Sequence, residues 1–239
     1  MYQTRGVFRY VPMEPKLGSV VNGMEIRGVV TDWGGVLTTP ILSTVQAWIQ
    51  ADRIDWDSYV AVMRPWVFGA YQQDGDPNPV RRLERGECAN AEFEALLAAR
   101  LLTVSGAPVT AEGLLKRMFA ASTHVPAMYE MIQALRQAGF RTALLSNSWG
   151  CDEYPRADFP RLFDSVVISG EVGMRKPEPE IFLHAAAALR LEPRECVFID
   201  DVEANVVAAA ACGMAGVHHV DPAGTAAALE ELLGVPLTA

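Results

Sequence analysis

Short apolar runs that alternate with helical stretches set the strongest limit on how this chain can fold. Residues 26–31, 141–146, 165–169, 197–200 and 216–220 read as strands rich in Val, Ile, Leu and Phe. Between them lie amphipathic segments with helix punctuation. The segment 126–138 begins at Pro126 and meets Gly139, and 178–189 is started by Pro177 and Pro179. The segment 203–211 is stopped by Gly213, and 225–233 closes the series. Strands that are apolar throughout, alternating with helices, predict an α/β fold: a doubly wound parallel sheet with both faces covered. Ligands of such sheets sit at the carboxyl ends of the strands, near the point where strand order reverses.

The gap between the first two strands is long, and residues 41–122 show no strand alternation. They read as helices over 41–52, 56–63, 91–102 and 110–120, with 71–79 (YQQDGDPNP) as a loop. The expected organisation is an N-terminal extension over 1–23, a core made of 24–40 and 123–239, and an inserted helical module over 41–122. Pro12, Pro15, Gly18 and Gly23 break up the extension, and Met24 offers a second start.

Composition narrows the function. Acidic residues number 29 against 20 basic ones, a formal charge of −9, which argues against a general nucleic-acid binder. A small anionic substrate stays compatible, since a local lysine and a metal outweigh distant charge. No apolar run approaches the ~18–20 residues that span a bilayer. Arg5 and Arg9 precede no apolar core, so no secretory signal is expected. Cys88, Cys151, Cys196 and Cys212 show no paired spacing. The reading is a reduced, cytoplasmic protein. His218 and His219 are adjacent on a strand end and face opposite ways, which disfavours a shared metal.

Chemically marked residues stand where the strands end. Asp32 follows Val29-Val30-Thr31, Ser146-Asn147 ends the second run, Lys176 precedes Pro177, and Asp200-Asp201 ends the fourth. A carboxylate rigidly held at a strand end can attack phosphorus and split one slow displacement into two steps. Asp32 fits that position, although Asp32-Trp33-Gly34-Gly35 also reads as a hairpin turn. Asp200-Asp201 is a natural Mg²⁺ anchor, because Mg²⁺ takes oxygen ligands and retains waters. The same pair would cap a helix beginning at Glu203. Adjacent carboxylates on extended chain point apart, so one ligates and the other supports. Ser146 and the amide of Asn147 would take phosphate oxygens. Lys176 would hold the nucleophile and phosphate together, a solvated lysine being the plain alternative.

In order and spacing these motifs, DWGGV, LLSNS, GMRKPEPEIF and FIDDVEAN, resemble those of the haloacid dehalogenase superfamily. The resemblance runs from Met24 to the C-terminus. It is nearest to the branch with sugar-phosphate phosphatases and the N-terminal phosphatase domain of soluble epoxide hydrolases. It implies a Rossmann-like core with a helical cap inserted after the first motif. Carried over by position, it implies that Asp32 is the nucleophile and that Asp32, Asp201 and the backbone carbonyl of Gly34 ligate Mg²⁺, beside Asp200. Ser146, Asn147 and Lys176 then bind the phosphate of a small phosphorylated substrate.

Gly34 departs from the pattern, since a second aspartate there normally protonates the leaving group. The carbonyl role survives in glycine and the side-chain role does not. General acid–base help is typically worth ~10²–10⁴-fold, so phosphates with good leaving groups are expected: acyl, aryl or anomeric sugar phosphates. Asp74, Asp76, Asp152 and Glu153 are candidate substitute acids. Trp66, Phe68, Tyr71 and Trp149 would either line the entrance or pack. Two other readings are carried. One is a phosphate-binding or regulatory module with little turnover, favoured by Gly34. The other is a carbon–halogen hydrolase, disfavoured by the paired carboxylates.

Overall fold

The central sheet forms because its strands bury side chains on both faces. The computed structural model describes residues 20–21, 24–71, 78–150 and 154–237. In chain order, β1 (Val20–Val21), β2 (Met24–Glu25) and β3 (Gly28–Thr31) are followed by α1 (Ile41–Ala51) and α2 (Trp56–Ala70). Next come α3 (Pro79–Glu84), α4 (Asn90–Ala98), α5 (Leu114–Met118) and α6 (Pro126–Gln137). The chain continues through β4 (Arg141–Ser146), α7 (Phe159–Leu162), β5 (Ser165–Ile168), α8 (Ser169–Val172) and α9 (Pro179–Ala188). It ends with β6 (Cys196–Asp200), α10 (Glu203–Ala211), β7 (Ala215–His218) and α11 (Pro222–Leu233).

β1 and β2 pair antiparallel with each other. The main sheet has the order β5-β4-β3-β6-β7, with every neighbouring pair parallel. Period-2 alternation sends successive residues to opposite faces. Val29, Leu144 and Val197 pack with Met128 and Leu135 of α6 and Leu229 of α11. Val30, Leu145 and Phe198 pack with Phe182 and Ala185 of α9 and Ala209 of α10. This is the Rossmann-like doubly wound arrangement. β3 lies between β4 and β6, so chain order diverges on its two sides and opens a crevice at the carboxyl ends.

Helices α1 to α5 pack round a buried cluster that includes Trp48, Met63, Phe93, Leu97 and Leu114 and draws only on residues 45–118. Several details here differ from the sequence expectation. α2 does not stop before Pro65 but runs on to Ala70. Proline removes one helical hydrogen bond, and the buried Met63 and Ala70 hold the turns on either side against the cluster. α3 falls at the end of the expected loop: the Asn78 side chain accepts from the N–H groups of Val80 and Arg81, and Pro79 occupies the first turn. α4 stops at Ala98, where the chain turns into bridges pairing Ile54 with Thr103 and Leu102 with Pro108. α5 starts only at Leu114, because Gly113 takes a left-handed φ of 65°. α11 starts earlier than expected, with Asp221 accepting from the Gly224 N–H. Within the described residues no helix is long and apolar enough to cross a membrane.

Candidate active site

The register of the sheet carries three strand ends into one place. Thr31 is level with Leu144 and Ile199, and the Asp32 N–H donates to the Ile199 carbonyl at 2.9 Å. Asp32 therefore emerges beside Asp200. Because both neighbours of β3 are parallel, Asp32-Trp33-Gly34-Gly35 is not a hairpin; the Leu37 and Thr38 N–H groups fold back onto the Trp33 carbonyl.

Lys176 lies between the two aspartates. Its Nζ stands 2.7 Å from Asp32 Oδ1 and 2.7 Å from Asp200 Oδ2. The lysine is buried, so the solvated reading does not hold. Burial alone would lower its pKa, but the joined pull of Asp200 and Asp32 raises it, and the ammonium stays charged. Asp200 is fully saturated: it accepts from Lys176, from Asn205 Nδ2 at 3.1 Å to each oxygen, and from the Val202 N–H at 2.8 Å. Asp201 is the more open of the pair, and His218 Nε2 holds its backbone carbonyl at 3.0 Å.

Carboxylate oxygens of Asp32, Asp200 and Asp201 lie within 4.8 Å of one another. Burial, reinforced by repulsion from Asp200 and Asp201 and opposed by Lys176, pushes Asp32 up to about 8. Burial and Asp200 push Asp201 up to about 6. Three carboxylates thus face one ammonium, an imbalance that a divalent cation with oxygen ligands would correct.

The two glycines after Trp33 differ in kind. Gly35 has φ +80, and a Cβ on it would stand 2.2 Å from Asp201 Oδ2, so only glycine lets that carboxylate close against the turn. Gly34 has no positive φ, and a Cβ there would meet only Ile41, at 3.0 Å from its Cδ1. The backbone does not require glycine at position 34.

Ser146 ends β4 with its hydroxyl 2.9 Å from the Tyr154 hydroxyl. The Asn147 side chain is already engaged: its Nδ2 donates to the Lys176 carbonyl at 3.0 Å, and its Oδ1 accepts from the Lys176 N–H at 2.9 Å. Asn147 thereby fixes the lysine loop, a role sequence reasoning did not assign. Asp74, Asp76, Asp152 and Glu153 lie outside the described residues, as does most of the extension over 1–23.

Above the strand ends is a cleft of about 410 Å³ reached by Gly34, Ser146 and Asn147. Of the aromatics singled out in the sequence, Trp149 lines it. Trp66 and Tyr71 pack against the helical cluster and Phe68 is exposed on the outside. Trp33, Phe119, His124 and Tyr154 line it instead. No local pattern marks them, apart from the position of Trp33 beside Asp32.

A buried pair ties the helical unit to this site. Glu84 at the end of α3 accepts from Arg175 Nε at 2.5 Å and from Trp149 Nε1 at 3.1 Å. Its backbone carbonyl accepts from Ser169 Oγ at 2.5 Å, and Ser169 Oγ accepts from the Ser148 N–H at 2.7 Å. Arg85 pairs with Glu178, and Gly86 sits where a Cβ would be 2.5 Å from the Gly170 carbonyl. Burial raises the Glu84 pKa against the pull of Arg175.

The model of the haloacid dehalogenase-like hydrolases matches residues 26–213. The chain belongs to this family. Among its relatives, bifunctional epoxide hydrolase 2 of Sus scrofa is 29% identical over 228 residues, covering 90% of this chain and 40% of that protein. The chain thus spans well under half the length of that relative. A sesquiterpene phosphatase of Aspergillus oryzae is 31% identical over 116 residues, covering 45% of this chain and 56% of that protein. A solved haloacid dehalogenase family enzyme of Bacteroides thetaiotaomicron, in complex with magnesium and inorganic phosphate, superposes with a TM-score of 0.53. It is 23% identical, and the match covers 81% of this chain and 93% of that one, which supports the shared fold. In this haloacid dehalogenase-like hydrolase the marked strand ends occupy the crevice that the sheet topology opens.

Proposed function

We propose that the chain is a Mg²⁺-dependent phosphatase acting on a small phosphorylated metabolite through an aspartyl-phosphate on Asp32. The observation that carries this reading is Lys176, buried and 2.7 Å from both Asp32 and Asp200, beside the more open Asp201. An ammonium so placed holds the nucleophile in line and offers charge to a phosphoryl oxygen. Ser146 and the Asn147 backbone N–H are assigned to the remaining phosphate oxygens. The resemblance of part of the chain to a phosphatase supports the substrate class.

The residues fit a divalent cation: the donors are carboxylate oxygens, and Gly35 leaves the space in which Asp201 approaches Asp32. Asp32, Asp201 and the Gly34 carbonyl would hold Mg²⁺, with Asp200 supporting, and the ion would neutralise charge on the phosphoryl oxygens. Residues 41–122 are assigned as the cap that covers the substrate, on a core made of 24–40 and 123–239.

The test is phosphate release from acetyl phosphate with and without Mg²⁺, for the native chain and Asp32→Asn. Activity needing both the ion and Asp32 is the expected result. A second reading, a phosphate-binding module with little turnover, is favoured by Gly34. It predicts that Mg²⁺ and phosphate bind while no release is seen.

A further inference from the structure

We infer that the substrates are aryl phosphates, esters of flat aromatic hydroxyl compounds; this rests on the phosphatase reading above. Two features of the cleft meet in this class. The first is its walls. On the core side Trp33 and Tyr154 stand with ring centroids 5.5 Å apart, and His124 lies 5.7 Å from Trp33. On the cap side Phe119 and Trp149 meet edge to face at 6.1 Å. All five rings line the same cleft of about 410 Å³, a volume within the ordinary range for small-molecule sites. Aromatic side chains on both sides favour a planar apolar body through offset and edge-to-face contacts.

The second feature is the cleft beside the nucleophile. Gly34 and Ile41 both line it, and the Ile41 Cδ1 reaches to 3.0 Å from where a Cβ of residue 34 would be. A methyl group thus borders the place of the usual acid. A leaving oxygen there departs without a proton donor at position 34. Alkoxides leave poorly on those terms, whereas a phenolate spreads its charge into the ring.

The chemistry balances without a further reactant. A bond forms between an Asp32 carboxylate oxygen and phosphorus as the bond from phosphorus to the aryl oxygen breaks. The electron pair stays on the departing phenolate, which takes a proton from solvent. Water then attacks phosphorus, the bond to Asp32 breaks, and inorganic phosphate leaves with the carboxylate restored and one proton released.

The experiment measures Mg²⁺-dependent phosphate release by the native chain from naphthyl, phenyl, dimethylallyl and acetyl phosphates. Naphthol and phenol are close in acidity, so their comparison isolates the extra ring. Burying that ring is expected to raise kcat/KM about tenfold for naphthyl over phenyl phosphate, with both above dimethylallyl phosphate. Phe119→Leu is expected to shrink the naphthyl-to-phenyl ratio. Equal values for the two aryl esters, or a preference for the dimethylallyl ester, overturns the inference. Acetyl phosphate needs neither wall nor acid, so its turnover alone upholds the phosphatase reading while the aryl inference falls. No Mg²⁺-dependent release from any of the four phosphates overturns both.

Discussion

Replacing Glu84 by glutamine removes one charge from the interior and leaves the shape nearly unchanged. Arg175 is then left as a cation that is 1% exposed. Beyond the neutral amide, its side-chain contacts are the Ala70 carbonyl at 2.8 Å from Nη1 and the Tyr71 ring 5.5 Å below the guanidinium. Its Nη2 has no partner among the described residues. Breaking one side of a buried ion pair typically costs about 3–5 kcal/mol, because the other charge stays desolvated. Whole-domain stabilities are about 5–15 kcal/mol, so the loss is a large fraction of the total. Urea unfolding followed by tryptophan fluorescence reads it out, since Trp149 donates to the same carboxylate. The expected result for Glu84→Gln is a midpoint well below that of the native chain. Pairing Glu84→Leu with Arg175→Met removes both charges, and that variant should be more stable than either single change. A Glu84→Gln loss under about 1 kcal/mol, or a double variant as weak as the two losses added, would refute the reasoning.

Gly34→Asp should be tolerated, as only Ile41 must shift. It should raise turnover of poor-leaving-group esters, by up to ~10²–10⁴-fold if the new acid is well placed; a rate that still falls as steeply with leaving-group pKa would count against it. Gly35→Ala should do the reverse, placing a Cβ 2.2 Å from Asp201 Oδ2 at φ +80. The Mg²⁺ concentration for half-maximal binding should rise at least about tenfold, with circular dichroism preserved, and native-like binding would contradict the cradle. His219 is buried, its Nδ1 2.7 Å from Thr225 Oγ1, and burial lowers its pKa from 6.5. A lowered folded pKa means that the unfolded chain binds more protons. The contribution of His219 is thus complete above pH 6.5 and is lost as pH falls towards the folded pKa. Urea midpoints of the native chain and His219→Gln should converge as the pH drops through that window, and parallel profiles would contradict this.

The sheet was legible because its strands are apolar on both faces, so the alternation with helices survives in the sequence. The candidate site was legible because parallel topology puts functional groups at strand ends, and Asp32, Ser146 and Asp200 each stand at the end of an apolar run. The fixing of the lysine loop by Asn147, and the saturation of Asp200 by Asn205, depend on side-chain directions that spacing leaves open. Glu84 and Arg175 are separated by 91 positions, and nothing local predicts that they meet. The helix expected over 56–63 runs on to Ala70 because the packing of Met63 and Ala70 outweighs the one hydrogen bond that Pro65 removes. The glycine pair shows the same limit. The family resemblance drew attention to Gly34, while the conformation that only glycine supplies is at Gly35.

The Glu84–Arg175 pair also restricts how this chain can be recombined. Arg175 stands immediately before Lys176, in the loop that Asn147 secures, and its counter-charge comes from α3, between the first two strands of the main sheet. A graft that replaced residues 41–122 with a helical insert lacking a carboxylate at that point would strand a guanidinium next to the lysine. Exchange of inserts to change substrate would therefore have to carry both members of the pair, or neither.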